Sequence, residues 1–121
     1  LKMSFNPDEF FCHSDGTILQ GGFITTMLDA SMAFLVMQLV DFKKVPLSID
    51  VNVNFLSSGG PKLTIAVARI NKIGKSIAFS SADLFQDDEL IATASSSIKL
   101  KDFESRNWID DTIGKNVKII R

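Results

Sequence analysis

Between Leu47 and Phe55 the chain alternates without a break. Leu47, Ile49, Val51, Val53 and Phe55 are apolar, and Ser48, Asp50, Asn52 and Asn54 between them are polar. A period of two predicts a strand with one buried face and one wetter face. Three more strands are predicted downstream: Lys62–Ile70, Ser76–Phe85 and Leu90–Leu100, the last with Leu90, Ala92, Ala94, Ile98 and Leu100 on one alternation. Ser57–Pro61 reads as a turn, Asn71–Lys75 as a Gly-containing hairpin connection, and Gln86–Glu89 as another turn. Four successive strands on short connections predict an antiparallel meander. Phe10–Cys12 is a candidate short strand ahead of them.

Upstream the period changes. From Gly21 or Gly22 to about Leu39–Asp41 the residues are good or neutral helix formers, rich in Met, Leu and Ala. The segment is apolar nearly all round, as in a helix buried on most sides. Lys43, Lys44 and Pro46 are the predicted stop, because cations suit a helix C-terminus and Pro cannot continue a helix. Phe23–Val40 is 18 residues long, near the lower limit for a membrane span. Asp29 in its middle would be costly in lipid, which favours a buried helix of a soluble protein and no membrane partner.

These elements predict an α+β fold, an antiparallel sheet wrapped around one long helix, in a single domain over 1–121. The core is expected over about 10–100, and 102–121 as an appendage, a short helix plus an edge strand, holding Trp108 and the Val117–Ile120 run. One sheet cannot cover an all-round apolar helix, so a second copy is expected to cover its far side.

Composition narrows the function. The chain has 121 residues, 45% of them hydrophobic, enough to build a core without disulfides. Lys and Arg number 13 against 14 Asp and Glu, for a net charge of −1. A slightly acidic chain is a poor nucleic-acid binder. One cysteine, Cys12, and one histidine, His13, cannot build a zinc site of the usual kind. A lone cysteine fits a reducing compartment, and Leu1–Asp8 has no basic region followed by an apolar run. A cytoplasmic protein is expected.

Asp29 is the titratable residue in the most apolar surroundings, and no Lys or Arg lies between Gly21 and Phe42 to pair with it. Such a carboxylate is either used, or faces the surface or bonds to backbone or Thr. Gln20-Gly21-Gly22 at the helix start offers free N–H groups to an anion or developing oxyanion, or else supplies the backbone angles of a tight junction. Gly21 and Asp29 are eight residues apart, about 12 Å along a helix. Reacting groups must lie within about 3–3.5 Å of their targets. Both can serve one site only if they come from different subunits, as two antiparallel helices in a two-fold dimer allow.

The stretch Gly16-Thr17-Ile18-Leu19-Gln20-Gly21-Gly22-Phe23-Ile24-Thr25-Thr26-Met27-Leu28-Asp29 resembles the signature of hotdog-fold acyl-CoA thioesterases, and most closely their PaaI-like branch. That pattern is roughly Asn-x-x-Gly-x-x-His-Gly-Gly, with an acidic residue eight positions after the first paired glycine. Leu47–Leu56 resembles the following strand, with Ser48 at a position held by Ser or Thr. Gly74-Lys75-Ser76-Ile77-Ala78-Phe79 resembles the hairpin that approaches coenzyme A. The similarity covers about Gly16 to Leu100.

The resemblance implies a hotdog fold in a homodimer or dimer-of-dimers, and hydrolysis of an acyl-CoA with no separate cofactor or metal. Asp29 would be general base or nucleophile. The Gly21 amide, helped by Gly22, would polarise the carbonyl, and Ser48 would help hold the attacking water. Gly74, Lys75 and Ser76 would contact the coenzyme A moiety. The chain departs from the pattern at two places. His13 or Ser14 stands where the family has Asn, and Gln20 replaces the His; Gln hydrogen-bonds but does not titrate.

Two other classes share the fold. Hotdog dehydratases have a His-x-x-Gly start, which His13–Gly16 matches, but the 16 residues from His13 to Asp29 exceed their usual gap. Their Pro-Gly helix start is also Gly-Gly here. A non-catalytic acyl-CoA-binding protein would typically lack the carboxylate. Phe10, Phe11, Phe23, Phe34 and Phe55 either line an acyl pocket or fill core.

Overall fold

The computed structural model describes residues Leu1–Asp102. The appendage expected at the C-terminus lies outside the described residues from position 103 onward. Strand β1 spans Lys2–Phe5, and a 3-10 turn at Glu9–Phe11 leads into the small ladder of β2 (Cys12–His13) and β3 (Ile18–Leu19). Helix α1 follows at Gly21–Leu39, then β4 (Lys44–Phe55), β5 (Thr64–Ile73), β6 (Ile77–Gln86) and β7 (Glu89–Asp102). One helix lies against one antiparallel sheet, as the period change along the chain predicts.

The helix stops earlier than Lys43 and Pro46, and by another device. Asp41 and Phe42 both take left-handed angles, φ 53° and 58°. The Phe42 amide donates to the Met37 carbonyl at 2.9 Å, closing the last turn. Lys44 and Pro46 already belong to β4. Pro is tolerated there because β4 is an edge strand.

The sheet order is β1-β5-β6-β7-β4, which corrects the expected meander. Strands β5, β6 and β7 do run as consecutive hairpins, the last through Asp87 and Asp88 at φ 49° and 61°. Strand β4 instead crosses to the far edge and pairs with β7. Leu56–Leu63 is therefore a crossover and not a turn. It is held by the Leu56 and Ser57 amides on the Ile91 carbonyl and by the Leu19 amide on the Gly59 carbonyl. Strand β5 runs on to Ile73 through a bulge at Asn71, so the hairpin connection shortens to Gly74–Ser76. Strand β1, unforeseen in the pattern, closes the β5 edge. Of the expected strand Phe10–Cys12, Phe10 and Phe11 lie in the 3-10 turn and only Cys12 is in a strand.

The core is asymmetric. Leu28, Met32 and Val36 of the helix are fully buried, with Ile24 and Met27 nearly so. Beneath them the sheet presents Ala66, Ala68, Ala78, Ala82, Ala92 and Ala94. Small sheet residues let the helix sit close while its long side chains fill the space, which is how interiors reach crystal-like density. The opposite helix stripe, Phe23, Thr26, Ala30, Ala33 and Phe34, is exposed or half-buried.

Candidate active site

The alternation that predicts β4 breaks at one residue. Ser48 pairs with Ile98 and Asp50 with Ser97, so Ile49 is an extra residue, a β-bulge. Since a strand's side chains alternate strictly, one inserted residue exchanges the faces of everything before it. Val51 and Val53 stay on the helix side with Ser96 and Ala94. Leu47 and Ile49 are left 44% and 58% exposed rather than buried. Ser48, polar in the pattern and expected on the wetter face, instead lies on the helix side of the sheet with Ile98 while staying exposed. Its Oγ donates to Asp29 Oδ1 at 2.7 Å.

Asp29 is half-buried at the border between the packed and open stripes of α1. Ser48 is its hydrogen-bond partner among the described residues, through Oδ1 alone, and no Lys or Arg of those residues forms an ion pair with it.

Gln20 caps the helix, its Oε1 accepting from the Phe23 amide at 3.2 Å. The amides of Gly21 and Gly22 have no hydrogen-bond partner among the described residues. Neither glycine has positive φ, so backbone angle does not demand them. Space does. A Cβ on Gly21 would lie 3.3 Å from two ring carbons of Phe55, and one on Gly22 would lie 2.8 Å from Gln20 Oε1. An open cleft of about 400 Å³ begins at Gly21, with walls from Leu19, Ile24, Phe55 and Leu56 and a polar edge at Ser57 and Ser58. Those two serines, read as turn residues, were missed because only the crossover brings them to the helix start.

The remaining candidates lie elsewhere. His13 and Ser14 share a hydrogen bond at 2.9 Å in the exposed turn between β2 and β3, where Ser14 has φ 54°. Neither bonds to Gln20, Gly21 or Asp29. Gly74, Lys75 and Ser76 form the tip of the β5–β6 hairpin. Lys44 Nζ donates to the Lys75 carbonyl at 2.9 Å, and the Leu100 amide donates to the Ser76 carbonyl at 2.8 Å. Gly21 is beside Phe55 and Lys75 beside Lys44, at the two ends of a strand about 36 Å long. Within one chain, then, Ser48 and Asp29 are together, while Gly21 and the hairpin tip are not. Among the described residues no three His, Cys, Asp or Glu side chains gather as a metal would need.

The chain has recognisable relatives. The family model of the thioesterase superfamily matches residues 16–93, well over half its length. A phenylacetic acid degradation-related protein from Ralstonia eutropha JMP134 is similar at 26% identity and TM-score 0.77, over 82% of this chain and 74% of that one. A Bacillus halodurans protein solved with CoA has 19% identity and TM-score 0.76, over 82% of this chain and 66% of that one. A thioesterase from Haemophilus influenzae has 14% identity and TM-score 0.78, over 87% of this chain and 73% of that one. No curated protein matches the chain. The match runs from the turn before the helix through Asp29, β4, β5 and β6 into the start of β7, and by it the chain belongs to the thioesterase superfamily, with that superfamily's hotdog fold.

Proposed function

We propose that the chain hydrolyses an acyl-CoA thioester at a site shared between two copies, in the manner of the PaaI-like branch. Asp29 of one copy acts as general base or nucleophile, and the Gly21 amide of the other, helped by Gly22, polarises the thioester carbonyl. The observation that carries this reading is the separation of Gly21 from Asp29, about 12 Å along one helix. One chain cannot bring both to the same carbonyl.

The same side of the molecule offers a way to join them. Among the described residues β4 has an unpaired edge in the sheet order, and the open stripe of α1 lies beside it. Two β4 edges pairing about a two-fold axis would set the helices antiparallel, with each Gly21 toward the other copy's Asp29. The Bacillus halodurans protein solved with CoA supports coenzyme A as the thiol half of the substrate.

In the general-base route, Ser48 holds Asp29 through Oδ1 and leaves Oδ2 to take a proton from water. The water oxygen bonds to the carbonyl carbon, the negative charge on the carbonyl oxygen is met by the helix N-terminal amides, and the carbon–sulfur bond breaks. The departing thiolate takes up the proton, giving free acid and CoA. Gly74, Lys75 and Ser76 are the proposed contacts for the coenzyme A moiety.

An acyl-CoA panel of short, long, branched and aryl chains, read by thiol release, tests the activity. Asp29→Asn should keep its oligomeric state and lose most turnover. Mixing Asp29→Asn subunits with Gly21→Val subunits should restore one working site per dimer. A wild-type rate in Asp29→Asn, or no rescue in the mixture, overturns the reading.

A further inference from the structure

The contact between Ser48 and Asp29 exists only because of the bulge at Ile49, and the bulge has its own support. Asp50, the next residue, is gripped twice by β7. The Ser97 amide donates to Asp50 Oδ1 at 2.9 Å, and Ser96 Oγ donates to the Asp50 carbonyl at 2.7 Å. Asp is depleted in strands, since its short side chain competes for backbone groups. Here that competition is put to use where an inserted residue disrupts the ladder. Asp50 forms no ion pair among the described residues. Its carboxylate serves the backbone of β7.

We infer that Asp50 is a positioning residue: it locks the bulge at Ile49, and the locked bulge holds Ser48 inward against Asp29. Without the lock, β4 can slip to the regular register. Alternation counted from Val51 then sends Ser48 to the outer face and brings Ile49 toward the helix. The strand survives, but the segment Lys44–Ile49 exchanges faces and Asp29 loses its polar partner. This deepens the proposed reaction and rests on it as far as rate is concerned. The geometry of the lock does not depend on it.

The test uses the full chain with Asp50→Ala, Asp50→Asn, Ser48→Ala and the double variant Ser48→Ala/Asp50→Ala, assayed with phenylacetyl-CoA and hexanoyl-CoA. Asp50→Ala should lower kcat by about tenfold to a hundredfold, the scale of a misplaced catalytic group. KM should stay within about twofold, as for a group that acts mainly in the transition state. Asp50→Asn keeps an accepting oxygen and should retain most of the rate. In the Ser48→Ala background, Asp50→Ala should cost nothing further. With Asp29→Asn inactive, a wild-type kcat in Asp50→Ala, or the same loss with and without Ser48, overturns the inference. Two readouts stand apart from activity: Ser97 amide exchange, and the Ser48–Asp29 distance in a crystal of Asp50→Ala. Faster exchange with Ser48 withdrawn supports the lock even if Asp29→Asn proves active or neither thioester is cleaved. An unchanged distance overturns it in every case. If Asp50→Ala does not fold, Ser96→Ala removes the second grip, together with the long Ser96 Oγ bond to the Ser97 carbonyl, and should lower kcat by about threefold, on the scale of one neutral hydrogen bond.

Discussion

Ser48 Oγ donates a 2.7 Å hydrogen bond to Asp29 Oδ1 across the gap between edge strand β4 and helix α1. The bond fixes one carboxylate oxygen and so the direction in which the other points. Hydrogen bonds to charged groups are worth about 1.5–3 kcal/mol. Ser48→Ala should therefore lower kcat by about tenfold to a hundredfold, since about 1.4 kcal/mol corresponds to each factor of ten. Asp29→Asn should cost about 10²–10⁴-fold, the usual contribution of a positioned acid or base. Steady-state thiol release measures both. A Ser48→Ala enzyme as fast as wild type would remove Ser48 from the site.

A side chain at Gly21 would meet the Phe55 ring, while the backbone angles there suit any residue. In Gly21→Ala the new methyl group would lie 3.3 Å from Cε1 and Cζ of Phe55 and push the ring or the helix start aside. Overpacking costs about 1–3 kcal/mol, while Ala gains up to about 1 kcal/mol over Gly in a helix. The thermal midpoint should thus move little while turnover falls by about tenfold, the scale of sub-ångström to ångström misplacement. Phe55→Ala in the same chain should return part of the lost rate. Equal losses with and without Phe55 would show that the ring is not the obstacle.

Gln86 holds the crossover that lines the cleft. It is 3% exposed, donates to the Gly60 carbonyl and to Thr64 Oγ1, and accepts from the Gly60 amide. Gln86→Ala would leave these groups without partners in a dry place, at a cost of about 2–3 kcal/mol. Urea unfolding should show that loss as a lower midpoint with an unchanged slope. A midpoint equal to wild type would mean that water takes over the whole network.

The Cys12 thiol is held above its ordinary pKa by desolvation first, and then by the carboxylates of Asp8 and Glu9. A raised pKa means less thiolate at any pH below it, and the thiolate is the nucleophile. Iodoacetamide should alkylate Cys12 more slowly than a free cysteine at pH 8, with the rate rising above the usual thiol midpoint. Asp8→Asn should shift that rise to lower pH, because it removes a like charge. A rate profile matching free cysteine would contradict this environment.

Local pattern was enough for much of the frame. The long apolar run of good helix formers predicts a helix, and α1 spans the residues so predicted, with one stripe packed on the sheet and the other open. Period-two stretches and turn residues placed β5, β6, β7 and most of β4 within a few positions, because the signals are short-range. The helix ends at Leu39, within the predicted bound, but by left-handed angles at Asp41 and Phe42 rather than by Lys43 and Pro46, and such angles leave no composition signature comparable to Gly. Strand β1 was missed because Lys2–Phe5 is too short to show a period.

The amino-acid order alone determined which residues are candidates for chemistry and how far apart they lie: the carboxylate at Asp29, the glycine pair eight residues before it, and the helix that separates them. Tertiary structure decided which of them meet. Pairing β4 with β7 joins residues some 40 to 60 positions apart, and no local propensity encodes that choice. The bulge at Ile49 then reversed the alternation that the sequence displays most clearly, because an Asp50 carboxylate bonded to the neighbouring strand made the extra residue tolerable. Strand faces follow from hydrogen-bonded register, and register is set by the partner strand rather than by the strand's own residues.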